Sequence, residues 1–256
     1  DTETILEYRS GDTLLRRVRA LNVDDFSIPM AKDFSDVAAS VHADDLAIHL
    51  DAGNAASYSG TGDVWKDLST NGNHFNLGCG SGPDSCDPGF SDGAFSMGNA
   101  FFTKSGSNGS YINSIHKPGA RFTIELWVYI VPNPGVYYIA LGTTNNASVT
   151  GFRWFLEGAL GGFGCVNPAP EIQTPFKELI ANGSWQQVAV SIDTVAGTGF
   201  TLRNGRRYPR NDSDFSVPAW GSGTGDAPNL MRIGTQTNDS AALWPTGSRL
   251  AIVRMY

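Results

Sequence analysis

The segment RFTIELWVYI, residues 121–130, alternates polar and apolar side chains over its whole length. Successive side chains of a β-strand point to opposite faces of a sheet, so this alternation predicts a strand with one buried face. Further strand-like segments stand between turns rich in Gly, Asn and Pro: residues 46–51, 136–142, 152–158, 185–193, 200–208, 229–235 and 249–256. Many strands at short spacing predict an all-β fold, a two-sheet antiparallel sandwich. Asn204-Gly205 predicts a tight hairpin turn.

The composition agrees with this class and excludes others. The 256 residues are 41% hydrophobic and 17% charged, and 30 of them are glycine. Low charge with many turn residues favours an all-β chain over an α/β chain. The net charge of −7 comes without a basic stripe, so we expect no nucleic-acid partner. No apolar run approaches the roughly 18 residues of a membrane-spanning helix, so we expect no membrane insertion.

The N-terminal residues 1–43 differ from the rest of the chain. They contain one glycine and one proline, whereas frequent glycines begin near Gly53. The sequence therefore predicts an N-terminal arm or linker, followed by a main domain over residues 44–256. The arm carries apolar side chains that we expect to be buried, either against their own domain or against a neighbouring copy: Ile5, Leu6, Tyr8, Leu14, Leu15, Val18 and Leu21.

The segment TILEYRSGDTLLRRVRAL, residues 4–21, has two interpretations. As a β-hairpin around Gly11-Asp12, it sets Glu7 opposite Arg16, an ion pair, and Ile5 opposite Val18, an apolar pair. As a helix after an Asp12 cap, it gathers its leucines and Val18 on one face. We favour the hairpin.

The opening of the main domain has a distinctive pattern. Residues 46–77, LAIHLDAGNAASYSGTGDVWKDLSTNGNHFNL, combine a strand ending in Leu-Asp-Ala with a Trp-x-Asp-Leu-Ser-x-Asn-Gly-Asn turn. Later come FTIELWVYI, SWQQVAVSID with FTLRNGRR, LMRIG and GSRLAIVRMY, in that order. Over residues 46–256 the chain resembles concanavalin A-like, laminin-G-type jelly-roll domains. The resemblance implies two stacked antiparallel sheets, with the first and last strands of the domain as neighbours.

Membership of this superfamily does not fix function, because such sandwiches serve as lectins, glucanases, adhesion modules and virion or surface-filament subunits. Its glucanases carry a Glu-x-Asp-x-(x)-Glu run on one strand and use two carboxylates. In residues 123–129, TIELWVY, Glu125 has no second carboxylate at a neighbouring position on the same face. One carboxylate cannot carry the two-step reaction, so we expect a non-catalytic chain.

A carbohydrate-binding site is a separate hypothesis. Trp127 and Tyr129 share a strand face with Glu125, and flat aromatic rings suit the apolar faces of sugars. Further candidates are the loop residues Trp154, Trp220 and Trp244. The alternative, which we favour, is that these aromatic side chains pack in the core or between the sheets, because the six tryptophans of a large sandwich need apolar surroundings.

The segment WKDLSTNGNHF, residues 65–75, spaces oxygen-bearing side chains as a calcium loop does: Asp67, Ser69, Asn71 and Asn73. An EF-type loop needs a Glu at its twelfth position, which here is Gly78. The alternative is a turn whose side chains bond their own backbone, with Gly72 at positive φ. We favour the turn, with a weak calcium site as the alternative. We expect no other cofactor, since the histidines lack zinc-ligand spacing.

The cysteines and sequons indicate a secreted protein. Cys79 and Cys86 flank GSGPDS, a short flexible segment, and predict a disulfide. Cys165 has no obvious partner. The Asn-x-Ser/Thr sequons predict N-glycosylation: Asn108, Asn146, Asn182, Asn211 and Asn238. We therefore expect an extracellular location.

Together these features predict a non-catalytic extracellular structural subunit that assembles with copies of itself, through its N-terminal arm, into a filament or surface assembly. Leaving the apolar side chains of the arm in water would forfeit several kcal/mol, at about 25 cal/mol per Å². Docking them head to tail on the next copy propagates into a filament. Two alternatives stay open: a carbohydrate-binding, lectin-like adhesion module with glycan partners, and a virion fibre or neck protein.

Overall fold

The structure is a computed structural model that divides into two units, Asp1–Asp33 and Phe34–Tyr256. It describes residues 4–10, 13–20, 46–79, 82–132, 139–144, 150–156, 162–166, 172–173, 183–208, 215–217, 224–235 and 244–256.

The described residues of the first unit form one antiparallel pair of strands, β1 (Thr4–Ser10) and β2 (Thr13–Ala20). Nearest the turn, Ser10 pairs with Thr13 and Arg9 with Leu14, as the predicted hairpin requires. A β-bulge then shifts the ladder by one residue, so that Glu7 pairs with Arg17 and the predicted pairing with Arg16 is wrong. The turn at residues 11–12 and the side chains of the arm lie outside the described part of the chain, and their predicted docking stays a prediction.

The second unit contains a nine-stranded antiparallel sheet. Its main path, in spatial order, is β16 (Arg206–Tyr208), β15 (Thr198–Arg203), β14 (Trp185–Asp193), β9 (Arg121–Tyr129), β19 (Arg249–Met255), β7 (Ala94–Ser96) and β6 (Gly89–Ser91). Two further strands join it: β17 (Phe215–Ser216) pairs with β15, and β3 (Ile48–Asp51) pairs with β19.

The other sheet has eight strands. Their spatial order is β13 (Ile172–Gln173), β12 (Gly162–Val166), β11 (Gly151–Phe155), β10 (Ile139–Gly142), β18 (Arg232–Ile233), β8 (Phe102–Lys104), β5 (Phe75–Leu77) and β4 (Val64–Trp65). A short helix, α1 (Gly109–Ser114), follows β8. No helix in the described ranges has the length and apolarity needed to cross a membrane.

Side chains from both sheets enter one apolar core. The core-facing residues of β9 are the apolar half of its alternating pattern: Phe122, Ile124, Leu126 and Val128. At one end, Trp65 of the eight-stranded sheet packs 4.9 Å, centroid to centroid, from Phe95 of the nine-stranded sheet. Phe102 lies 4.8 Å from both rings. Aromatic rings at these separations attract one another beyond the area they bury, so this trio holds the two sheets together.

The all-β sandwich prediction is confirmed, and so is the expected neighbour relation of the domain's first and last strands. β3 pairs with β19 from Ile48 opposite Met255 to Asp51 opposite Ile252. β19 also pairs with β9 along its other edge and with β7 near its start. β19 is therefore an interior strand of the nine-stranded sheet, with neighbours along both of its edges.

The turn between β15 and β16 gives the first testable prediction. Gly205 has a φ of 74° there, and a Cβ at this position would meet nothing closer than a Gln187 oxygen at 3.9 Å. The cost of Gly205→Ala is therefore backbone strain alone, and we expect the free energy of unfolding to fall by about 1 kcal/mol in urea titrations. The matched control is Gly225→Ala, because Gly225 has ordinary φ and open space around it, and this change should leave stability unaltered.

Candidate functional site

The solvent side of the nine-stranded sheet carries three rows of side chains across strands β14, β9 and β19. The first row is Trp185, Tyr129 and Arg249. The second is Gln187, Trp127 and Ile252. The third is Ala189, Glu125 and Arg254, and it continues on β3 with His49. The three residues predicted from β9 therefore occupy successive rows of one face, and strands distant in the sequence add the rest.

The first two rows form an aromatic platform, defined here as Trp127, Tyr129 and Trp185. All three side chains are half-buried. The rings of Tyr129 and Trp185 lie 6.1 Å apart, centroid to centroid, and the two tryptophans pack on a small apolar cluster that includes Ile252. The Arg249 guanidinium lies 5.9 Å from the Trp185 ring. The Tyr129 and Trp185 rings are tilted by 57° to each other, so the platform is a partly exposed, angled aromatic surface with a cation at its edge.

Glu125 lies on the same face, in the row next to Trp127, and its side chain is buried instead of extending into solvent. Only 8% of the residue is exposed. Its Oε1 accepts hydrogen bonds from Trp127 Nε1 at 3.2 Å and from Gln187 Nε2 at 3.0 Å. Arg254 Nη1 lies 3.4 Å from the same oxygen and forms an ion pair with it. The carboxylate therefore fixes the orientation of the Trp127 indole and neutralises a buried cation.

Arg254 and His49 form the enclosed end of the third row. Arg254 is 2% exposed, and its Nε and Nη2 have no hydrogen-bond partner in the described chain. His49 pairs with it across β3 and β19, and its Nε2 is likewise buried without a partner. Burial and, to a lesser extent, the Arg254 charge lower the pKa of His49 to about 4, against a smaller opposing effect of Asp67. His49 is therefore neutral in the folded protein at physiological pH.

This neutral histidine predicts acid destabilisation. The pKa of His49 is about 4 in the folded chain and 6.5 in the unfolded chain. Between these pH values the unfolded chain therefore binds a proton at His49 that the folded chain does not bind. The free energy of unfolding should fall as pH drops from 6.5 to 4 and level off below that. We expect this residue to contribute about 2 kcal/mol of the loss, after allowance for partial solvent screening. Urea titrations at a series of pH values measure it.

His49→Gln is the matched variant, because glutamine does not titrate. It should show a flatter stability profile than the parent over the same pH window. Equal slopes for the two proteins would refute the assignment to His49. His116, whose pKa burial also lowers, stays in both proteins and so cancels in the comparison.

Among the described tryptophans, Trp154 and Trp244 do not contribute to the platform. Their exposures are 0% and 2% and both belong to the core, as the favoured core-packing interpretation predicts, so they are not binding residues. Trp220 lies outside the described residues. Trp185 was not among the predicted residues, although it stands on the solvent side of β14, in register with Tyr129. The period-two pattern of WQQVAVSID, continued back to its first residue, was the signal that could have found it.

The loop at residues 67–73 is organised as a turn. Each carboxylate oxygen of Asp67 accepts two hydrogen bonds: Oδ1 from the backbone N–H groups of His49 and Ser69, Oδ2 from the Ser69 hydroxyl and the Asn73 N–H. Gly72 has a φ of 64°, as the turn interpretation predicts.

The asparagines of this loop also act as donors. The Asn71 amide donates to the carbonyl of Leu46 at 2.9 Å, and the Asn73 amide donates to that of Ala47, also at 2.9 Å. Asn71 and Asn73, which have the spacing of calcium ligands in the sequence, thus donate hydrogen bonds that link the turn to the residues just before β3. This favours the turn over the calcium site, which stays an untested alternative.

The cysteine pair is brought together. The Sγ atoms of Cys79 and Cys86 lie 2.7 Å apart. The two positions are therefore adjacent in space, and the disulfide itself stays a prediction. The side chain of Cys165 lies outside the described residues.

One sequon is a poor glycan acceptor in the folded chain. Asn108 is 5% exposed, its amide nitrogen donates to the Asn229 carbonyl at 2.8 Å, and its oxygen accepts from the Met231 N–H. A glycan on that nitrogen would need space the fold does not leave, so we withdraw this site. The other four sequons, Asn146, Asn182, Asn211 and Asn238, lie outside the described residues.

A scan against models of known protein families and a search of curated proteins give no match to this chain. Solved structures do resemble it. Domain 4 of AbnA, an extracellular GH43 arabinanase from Geobacillus stearothermophilus solved with arabinotriose, is 15% identical, with 82% of this chain and 91% of that chain covered and a TM-score of 0.55. A structure of botulinum neurotoxin type C is 14% identical, with coverages of 84% and 48% and a TM-score of 0.54.

A sialidase from Trypanosoma rangeli, solved with 2,3-difluorosialic acid, is 15% identical over 82% of this chain, with a TM-score of 0.47. This chain spans 30% of the length of that sialidase and 48% of the length of the neurotoxin chain. At 14–15% identity, the arabinanase domain and the neurotoxin, whose TM-scores exceed 0.5, show a shared β-sandwich fold alone. Because no family model matches, the finer assignment to the concanavalin A-like superfamily stays a prediction.

Proposed function

We propose that this chain is a carbohydrate-binding module and that the aromatic platform on the nine-stranded sheet is its binding surface. The observation that carries the proposal is the pair of half-buried tryptophans, Trp127 and Trp185, which pack on the same small apolar cluster on the solvent side of the sheet. Of the six tryptophans, Trp65, Trp154 and Trp244 are buried in the core. A second group of large rings kept partly in water indicates a surface that binds a flat apolar partner.

The polar groups beside the platform suit a sugar. Hydroxyl groups need hydrogen-bonding partners at the rim of an apolar surface, and Gln187 and Arg249 stand at that rim. The solved arabinanase domain with a similar fold was crystallised with arabinotriose, and the neurotoxin is described as interacting with two ganglioside molecules. Both descriptions support glycans as the partner class. The arabinanase is described as extracellular, so we include an extracellular location in the proposal.

We also propose that the module binds without cleaving. Glycoside hydrolysis needs two carboxyl groups at an open surface, one on each side of the scissile bond. Glu125, the carboxylate of this face on β9, is enclosed and already holds Trp127, Gln187 and Arg254. Its role in the proposed site is to set the position of the indole ring.

A glycan microarray tests the proposal, with arabino-oligosaccharides and ganglioside headgroups among its probes. We expect the parent protein to bind one group of glycans, and Trp127→Ala and Trp185→Ala each to weaken that binding at least about tenfold. A stacked aromatic ring contributes on the order of 1.5 kcal/mol, which corresponds to that factor. Isothermal titration with the best probe gives the affinities.

Val195→Ser is the matched control, because Val195 is an apolar side chain, 63% exposed, that does not belong to the platform. It should bind as the parent does. If both tryptophan variants keep full affinity while remaining folded by circular dichroism, the platform is not the binding surface and the proposal fails.

The filament and virion-fibre predictions gain no support from the comparisons. Both depend on arm side chains that lie outside the described residues, so neither is the function we propose. Analytical ultracentrifugation of the purified chain at several concentrations tests self-association directly.

A further inference from the structure

A cluster of sulfur and carboxylate groups lies away from the aromatic platform, in the segment between β5 and β6. The Sγ atoms of Cys79 and Cys86 and a carboxylate oxygen of Asp84 all lie within 4.8 Å of one another. Asp84 is fixed in place, because its Oδ2 accepts the Cys79 N–H at 2.9 Å and its Oδ1 accepts the Cys86 N–H at 2.7 Å. Three potential metal ligands therefore converge on one turn.

A second carboxylate reaches the same turn. Asp87 Oδ2 accepts the Asp84 N–H at 3.1 Å, while Asp87 Oδ1 is buried and has no hydrogen-bond partner in the described chain. A Cβ on Gly78 would lie 2.2 Å from Asp87 Oδ1 and 2.6 Å from Asp84 Oδ1, so both oxygens face the space beside this glycine. Only glycine fits there, and its φ of 64° is one that glycine adopts freely.

In the described part of the chain, neither carboxylate of this turn has a compensating cation beside it, because no Lys or Arg nitrogen lies within 4.0 Å of Asp84 or Asp87. Two negative charges and two sulfur atoms thus share one turn, and one acceptor oxygen is left without a donor. A bound metal cation would satisfy all of these groups at once.

We propose that the reduced Cys79–Asp84–Cys86 turn is a binding site for a soft divalent cation of the zinc class. Thiolate sulfur selects Zn²⁺ over Ca²⁺ and Mg²⁺, which prefer oxygen ligands alone. Two sulfurs and one carboxylate supply three ligands of a tetrahedral site, and Asp87 or water supplies the fourth. The N–H groups that hold Asp84 orient the ligand from the second shell.

The required movement is small. Metal–ligand bonds of about 2.0–2.3 Å in a tetrahedron put the ligand atoms roughly 3.3–3.8 Å apart. The sulfurs, now 2.7 Å apart, would separate by about 1 Å, and the carboxylate oxygen, within 4.8 Å of both sulfurs, would approach by at most about 1.3 Å. Cys79 is exposed and Cys86 half-buried, so the turn has room for this adjustment. Each thiol loses its proton on binding, so affinity rises with pH.

Cobalt and zinc titrations of the full chain test the site. The protein is reduced, freed of metal with EDTA and titrated with Co²⁺, whose thiolate complexes absorb in the near ultraviolet, and then with Zn²⁺ against a coloured chelator. We expect one equivalent of metal per chain. Cys79→Ser and Cys86→Ser should each abolish the cobalt–thiolate band and weaken Zn²⁺ at least about 100-fold, and Asp84→Asn should weaken it about tenfold or more.

Cys165→Ser is the matched control, since it removes the third cysteine and leaves the turn intact; it should bind Zn²⁺ as the parent does. The reduced parent protein itself provides a readout that needs no variant. Absence of stoichiometric Zn²⁺ binding to it, or a cobalt band that survives in the Cys79→Ser/Cys86→Ser double variant, would overturn the proposal.

Discussion

Asp67→Ala lowers the free energy of unfolding by about 3 kcal/mol, the expected result for a carboxylate that accepts four internal hydrogen bonds. The loss is large because one donor is the N–H of His49, buried within β3. Without Asp67 the backbone N–H of His49 has neither this acceptor nor access to water. Its burial then costs the full desolvation free energy. Urea titration monitored by tryptophan fluorescence measures the change.

Asp67→Asn separates the turn from the calcium loop. Its single carbonyl oxygen can accept at one of the two sides, so we expect about half of the stability loss. Calcium should make no difference if the segment is a turn: the unfolding midpoint of the parent protein should be the same in millimolar calcium and in EDTA. A midpoint that rises with calcium in the parent but not in Asp67→Asn would establish the calcium alternative.

Glu125→Ala lowers the free energy of unfolding by about 3–5 kcal/mol, because it leaves the Arg254 guanidinium buried and unpaired. The same change removes the Glu125 oxygen that accepts hydrogen bonds from the Trp127 indole and the Gln187 amide. The platform should therefore lose its fixed geometry together with the ion pair. Thermal and urea unfolding give the stability, and the fluorescence spectrum of the tryptophans reports the change at the platform.

The double variant Glu125→Leu/Arg254→Met provides the control. Replacing a buried ion pair by apolar side chains of similar volume is often neutral, so we expect it to be more stable than Glu125→Ala. If Glu125→Ala alone costs less than about 1 kcal/mol, the pair is exposed in solution and the proposed support of Trp127 is wrong.

Long alternating segments could be located from the sequence because their period follows from the pleat of a strand. Residues 121–130 and 249–256 gave β9 and β19 in this way. The strands of two or three residues, such as β4 and β17, are too short to show a period, and pairing with neighbours defines them. The helix α1 has Asn108 at its N-cap, but its six residues are too few to show a helical period, so the sequence did not reveal it.

The candidate site was predictable where it is local. Trp127, Tyr129 and Glu125 stand two residues apart on one strand, so alternation placed them on one face. Arg254 could not be found in this way, because its partner Glu125 is 129 residues away and only the strand order makes them neighbours. The same holds for the bonds from Asn71 and Asn73 to the chain before β3. Short-range oxygen spacing left a turn and a calcium loop both open, and the long-range hydrogen bonds favour the turn, which the sequence itself also favours.

The hairpin register failed for a different reason. A two-residue turn fixes the first pairs of a ladder, and Arg9 opposite Leu14 follows from it. The β-bulge between Tyr8 and Arg9 adds one residue on one side of the ladder. No residue type in this segment predicts a bulge there.

The position of β19 has a consequence for how the chain acquires its structure. Its partners β3, β7 and β9 lie roughly 120–200 residues earlier, so the nine-stranded sheet stays open along its middle until Arg249–Met255 has been synthesised. Contacts this distant in sequence make folding slow, on the scale of milliseconds to seconds or longer. A nascent chain that stalls before residue 249 presents the unpaired edges of β3 and β9 to its neighbours, which is the condition that recruits chaperones or ends in aggregation.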